Sequence, residues 1–268
     1  MSAENYLEIN RTSWNKRTEH HLASDFYEMN AFKAGKSSLN DIELGLLGDI
    51  KGKRILHLQC HFGQDSMSLA RMGADVTGID LSDEAIRQAK IINQELNLDV
   101  TFVVSDVYEL PNNLKGEFDI VYTSYGTIGW LPDLDKWAKV IHHFLKPKGK
   151  FVFVEFHPNV WMFDDDFTKI AYNYFNTDAI IETEEGTYAD KNAKEKFSYV
   201  FWNHSLSEVM TSLLQQGMTI DHFNEYDYSP YDCFAHTEKI EERKYRIKPF
   251  GDKMPLCYSI VVSKTTIL

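Results

Sequence analysis

A chain of 268 residues with 43% hydrophobic and 13% aromatic side chains has enough apolar material for one large domain, or for a domain carrying a substantial insertion. Its formal net charge of −12 argues against a nucleic-acid partner, because a phosphate backbone requires a cationic face. The apolar runs are too short to cross a bilayer. Three widely spaced cysteines, Cys60, Cys233 and Cys257, form no CxxC pair and point to a reduced, cytoplasmic setting without structural zinc.

The first residues, MSAENYLEIN, are polar and acidic, unlike a secretory signal. Residues 1–50 carry scattered aromatics (Tyr6, Trp14, Phe26, Tyr27, Phe32) and predict an N-terminal cap of broken helices ending near Gly48. Residues 51–268 then form the main domain. Ile55 to Leu58 predicts a strand, Asp65 to Met72 a short helix, and Asp75 to Ile79 a second strand. Ser82 predicts a helix cap, with Asp83 and Glu84 in the first turn where the dipole favours them. Ala85, Ile86, Ala89, Ile92 and Leu96 supply the apolar stripe of that helix.

Val100 to Val104 and Phe118 to Thr123 read as the third and fourth strands. The helix after Pro132 buries Leu134, Trp137, Ala138, Ile141 and Leu145, and Lys146-Pro147-Lys148-Gly149 predicts a turn. Phe151 to Phe156 is apolar enough for a fifth strand buried on both faces. The rhythm breaks over 158–203, which is aromatic and acidic. It resumes with a helix capped at Ser205 or Ser207 and ended by Gly217, then a strand from Met218 to Phe223. A second irregular stretch, 226–254, precedes a last strand, Cys257 to Val262. The pattern predicts an α/β fold, a doubly wound and mostly parallel sheet, with lid-like insertions after strand five (about 158–203) and before the last strand (226–254).

The stretch Arg54 to Asp80 bears the chemistry. It reads as strand, tight turn, helix, strand and a terminal acid. An acid at that strand end can accept both hydroxyl hydrogens of a ribose, and the turn can bring backbone N–H groups to a polar ligand. The turn is Gln59-Cys60-His61-Phe62-Gly63, without the Gly-x-Gly-x-x-Gly of a pyrophosphate site. The ligand expected is an adenosine-type ribose without pyrophosphate, which weighs against a dinucleotide-dependent oxidoreductase.

The strand and helix order over 54–157, and the helix–strand–insert–strand ending, resemble the class I S-adenosylmethionine-dependent methyltransferases over roughly 50–264. The HLQCHFG turn at 57–63 is similar to that of a bacterial small-molecule subgroup. The resemblance implies a seven-stranded sheet, six strands parallel and the last antiparallel, with S-adenosylmethionine across the carboxyl ends of the first strands. It implies that Asp80 holds the ribose, flanked by Leu81 and Ser82. Gln59, His61 and Gly63 would border the methionine part. Asp106 would accept the adenine amine, with Val107 beside the ring, and Ser124 would meet the cofactor's amino-acid end.

Methyl transfer is an in-line displacement in which the protein supplies position, desolvation and sometimes a base. A base belongs near the ends of strands four and five, at Tyr125, Glu155 or His157. His157 is the first choice, because a neutral imidazole accepts a proton near pH 7. His61 either faces the cofactor or bonds backbone within its turn. His20 and His21 read as surface residues. His142 and His143 diverge by about 100° on a helix, Asp164 to Asp166 read as a solvated loop, and no metal site is expected. The aromatics of the first insertion, Trp161 to Trp202, would serve partly as a lid over a small-molecule methyl acceptor or a cation formed by N-methylation. The glycine-poor turn leaves a non-catalytic cofactor binder as the alternative.

Overall fold

The computed structural model describes residues 5–175 and 178–265. Parts of three predicted segments therefore lie outside the described residues: 1–4 of the cap, 176–177 of the first insertion and 266–268 at the end of the main domain. The chain begins with helices α1 (Tyr6–Ala23), α2 (Met29–Lys33) and α3 (Asp41–Leu47). Then come β1 (Arg54–His57), α4 (Gln64–Arg71), β2 (Asp75–Asp80), α5 (Asp83–Glu95) and β3 (Val100–Val104). Next are α6 (Leu110–Asn113), β4 (Phe118–Ser124), α7 (Leu134–Phe144) and β5 (Leu145–Phe156). The first insertion contains β6 (Ile180–Glu185) and β7 (Lys196–Phe201), and α8 (Leu206–Gln215) and β8 (Met218–Tyr226) follow. The second insertion contains β9 (Thr237–Glu241) and β10 (Lys244–Ile247), before β11 (Cys257–Lys264).

Seven strands form one sheet in the order β3-β2-β1-β4-β5-β11-β8. Pairing is parallel from β3 to β5, while β11 runs antiparallel to both of its neighbours. Alternate strand residues feed opposite cores, as the period of two demands. Leu56, Val121, Phe151 and Phe153 pack with Trp137 of α7 and Val209 of α8. Ile55, Ile120 and Val152 pack with Met67 of α4 and Ile86 of α5. Strand order reverses beside β1, and such a switch point opens a crevice at the strands' carboxyl ends.

Local signals hold at the helix starts. The Ser82 hydroxyl accepts from the Ala85 N–H at 3.0 Å, and Ser205, rather than Ser207, caps α8 by accepting from the Glu208 N–H at 3.2 Å. The Lys146–Gly149 segment differs from a simple turn. It enters β5 through a register shift against β4, with Lys148 at φ 64°. The two insertions are more regular than their composition predicted, since β6 pairs with β7 and β9 with β10 as antiparallel hairpins.

Helix α1 buries polar rather than apolar side chains: Asn10, Ser13, Arg17, Thr18 and His21. The Asn10 side chain donates to the Val200 carbonyl at 2.8 Å and accepts from the Val200 N–H at 2.9 Å. It thus extends the pairing of β7. Arg17 bonds Glu184 at 2.7 Å and lies against the rings of Trp14, Phe197 and Tyr199. His21, read from sequence as a surface residue, is 0% exposed. Among the described residues, no helix is long and apolar enough to cross a membrane.

Candidate active site

A cavity of about 1030 Å3 runs along the carboxyl ends of β1 to β5 and is lined as well by residues of α1 and of both insertions. Its floor begins with the bend after β1. Gln59 has φ 54°, His61 φ 52° and Gly63 φ 79°. The backbone therefore adopts, at alternate positions, the left-handed conformation that glycine takes without penalty. Gln59 and His61 adopt it at about 1 kcal/mol each, and the surroundings hold them there. The His61 N–H donates to Asp80 Oδ2 at 2.8 Å, the Cys60 N–H donates to the Ile79 carbonyl at 2.8 Å, and Gln59 Nε2 donates to the Thr127 carbonyl at 2.8 Å. At Gly63 a larger residue requires the Phe102 ring to move, since a Cβ would lie 2.5 Å from it.

Asp80 ends β2 facing this bend. Its second oxygen accepts from the Ser82 N–H at 2.8 Å. Burial pushes its pKa up to about 6 against the pull of those N–H groups. Leu81 lines the cavity beside it. Ser82 does not, since its hydroxyl caps α5 and donates to Asn15 Oδ1 at 2.7 Å. It supports Asp80 through its backbone. At the end of β3, Asp106 and Val107 line the wall. Burial raises the Asp106 pKa, and Val107 anchors the loop in the core.

Ser124 and Tyr125, after β4, also reach the cavity. Ser124 Oγ donates to Asp65 Oδ2 at 3.3 Å. Tyr125 has φ 41°, and its hydroxyl donates to Glu43 Oε2 at 2.9 Å. Glu43 is the third residue of α3, and its other oxygen accepts from the Asn40 N–H at 2.7 Å. Burial, then the nearby Asp65 charge, pushes the Glu43 pKa up to about 7. Glu155 immobilises the Tyr125 loop by accepting the N–H groups of Gly126, Thr127 (2.7 Å) and Ile128 (3.1 Å).

His157 is not brought to the cavity. Its Nε2 lies 2.9 Å from Glu225 Oε1 on β8, and its Nδ1 accepts from the Asn159 N–H at 3.1 Å. The ring orders the turn after β5, and both nitrogens are engaged there. His61, by contrast, borders the cavity and bonds no backbone of its own turn through its ring. Its Nε2 meets His21 Nδ1 at 3.0 Å. Burial lowers the His61 pKa to about 3 and lowers that of His21 as well.

Several wall residues carry no sequence motif: Trp14, Tyr27, Asp65, Tyr188 and Tyr231. Asp65 reads locally as an ordinary acid in the first turn of a helix. At the bend, Gln59 Oε1 and His61 Nδ1 are buried without hydrogen-bond partners. Unpaired buried polar atoms at such a wall are costly unless a polar ligand completes them. A carboxylate at the β2 end, an acid and an apolar side chain at the β3 end, and these orphaned atoms at the bend fit an adenosyl group bearing an amino-acid tail. Among the described residues, no group of three His, Cys, Asp or Glu is arranged to hold a metal.

Residues 55–149 match the family described as methyltransferase domain. An uncharacterized methyltransferase of Synechocystis is 32% identical over 162 residues, 59% of this chain and 74% of that relative. A ubiquinone biosynthesis O-methyltransferase of Xanthomonas oryzae is 31% identical over 132 residues, 48% of this chain; the match spans only 55% of that relative's length. The S-adenosylmethionine-dependent methyltransferase structure from Mesorhizobium loti superposes with a TM-score of 0.54 at 20% identity, over 82% of this chain and 94% of that one, a likeness of fold. The β2 acid, the left-handed bend and these matches together make the chain a member of the class I S-adenosylmethionine-dependent methyltransferases.

Proposed function

We propose that this protein transfers a methyl group from S-adenosylmethionine to a small-molecule acceptor inside this cavity. One observation carries the reading: the left-handed backbone at positions 59, 61 and 63, with the His61 N–H held by Asp80. The geometry a glycine-rich bend provides is thereby kept without two of its glycines. The cofactor, when bound, supplies an activated methyl on a positively charged sulfur. Asp80 would hold the ribose, Asp106 and Val107 the adenine, and Gln59, His61 and Ser124 the amino-acid end.

Tyr125 is the residue on this wall best suited to a proton. Its hydroxyl hydrogen points to Glu43, which leaves the oxygen lone pairs free to accept a proton from an acceptor O–H or N–H. Glu43, with a pKa near 7, can take the tyrosine's proton in turn. His157, whose ring is engaged by Glu225 and Asn159, is given no such part in this reading.

The concave cavity and the acidic net charge support a small acceptor over nucleic acid. The HLQCHFG turn supports membership of a bacterial small-molecule subgroup, and the two hairpins with the N-terminal helices support a lid over a main domain. The test has two arms. S-adenosylhomocysteine should raise the melting temperature while NAD does not. Label from methyl-labelled S-adenosylmethionine should enter a metabolite when enzyme meets a cell extract. Stabilisation without label transfer would establish the non-catalytic reading instead.

A further inference from the structure

We propose that the acceptor site takes a cationic amine, held by Asp65 within a wall of tyrosine and phenylalanine rings. The inference rests on the methyltransferase reading and specifies its substrate class. Phe26, Tyr125, Tyr188 and Tyr231 all line the cavity. They form a connected ring wall, with centroids 5.7 Å apart for Phe26–Tyr231, 5.1 Å for Tyr125–Tyr231 and 5.4 Å for Phe26–Tyr188. The faces of such rings attract ammonium groups.

One cation, Arg243, acts on Asp65 in this corner. Asp65 lines the cavity and accepts hydroxyl hydrogens alone, from Ser38 at 2.6 Å and Ser124 at 3.3 Å. Glu43 lies behind Tyr125 and is held by Asn40 and that tyrosine. Burial raises the pKa of both carboxyls, and the Asp65 charge adds to the effect at Glu43. Arg243 acts on Asp65 through its charge but spends its hydrogen bonds on the Leu39 carbonyl at 2.8 Å, the Ser37 carbonyl at 3.0 Å and Asn40 Oδ1 at 3.2 Å.

Two buried acids, Asp65 and Glu43, are poorly compensated by the single Arg243 charge that acts on Asp65. An ammonium supplies a second positive charge and presents its C–H groups to the rings. Acids outnumber bases in the cavity lining, with Asp165, Asp166, Glu182 and Glu185 among them against Arg17, Lys36, Lys191, Lys239 and Arg243, a balance that favours cations.

The test uses choline and its neutral isostere 3,3-dimethylbutan-1-ol as probes, titrated by calorimetry into the full-length protein saturated with S-adenosylhomocysteine. Choline should bind about tenfold more tightly than the alcohol, the size of one desolvated cation–ring contact. Asp65→Asn should weaken choline about tenfold and leave S-adenosylhomocysteine affinity intact, and Tyr231→Leu should weaken choline by a similar factor. Equal affinity for the two probes would overturn the proposal. So would an Asp65→Asn variant that loses S-adenosylhomocysteine rather than choline, because Asp65 would then serve the cofactor's own ammonium. Failure of the wild type to bind S-adenosylhomocysteine at all would strike the methyltransferase reading itself.

Discussion

The carboxylate of Asp80 and the backbone N–H of His61 meet at 2.8 Å. The acid at the end of β2 and the bend after β1 are therefore one mechanical unit. The group proposed to hold the ribose also keeps a histidine in a backbone region that histidine rarely enters.

Replacing Asp80 by Asn should weaken S-adenosylhomocysteine binding by about 1–3 kcal/mol, through lost charge-assisted hydrogen bonds. The wild type should also depend on pH. Its carboxyl pKa is raised from 3.8 to about 6, so it ionises as pH climbs through 6, and cofactor affinity should rise over that interval. The sign for folding is opposite. The raised value favours the fold while the carboxyl is protonated, and that contribution disappears as pH rises past 6. Calorimetry from pH 5 to 8 should give a sloping affinity for the wild type and a flat one for Asp80→Asn. A flat wild-type profile would refute the ribose assignment.

Gly63→Ala should destabilise the fold by about 2–4 kcal/mol, summing left-handed strain with overlap against the Phe102 ring. Denaturant unfolding checks this. A midpoint matching the wild type would mean that Phe102 gives way freely.

Tyr125→Phe and Glu43→Gln should each lower kcat by about 10²-fold or more if the pair moves the acceptor's proton, with S-adenosylhomocysteine affinity unchanged. The double variant should be little worse than either single one, because the two act as a unit. With Glu43 near 7, the wild-type rate should rise with pH through neutrality, and Glu43→Gln should abolish that limb. Additive effects would separate the two residues.

Asn10→Ala strips the Val200 N–H and carbonyl of their partners. A cost of about 1–3 kcal/mol is expected, from two buried backbone groups left unpaired. The loss should concentrate in the docking of α1, seen as faster amide exchange there and quicker S-adenosylhomocysteine release. Uniform exchange across the sheet would argue against α1 as a separately opening element.

The alternation of strands and helices from β1 to β5, the cap at Ser82 and the acid at the end of β2 were legible in the chain itself. They follow from short-range physics: period-two and 3.6-residue burial, dipole-compatible acids, and hydroxyl caps. What three-dimensional packing decided depends on partners distant in sequence. Asn10 meets Val200 across 190 residues, and Tyr125 meets Glu43 across 82. A polar helix was buried because the β6–β7 hairpin supplied its hydrogen bonds. His157 was turned from the cavity because Glu225 of β8 captured its ring. Gln59 and His61 were bent left-handed because Thr127, Asp80 and His21 hold them. Local propensity opposes that last conformation, and only contacts formed after the sheet has assembled can outweigh it.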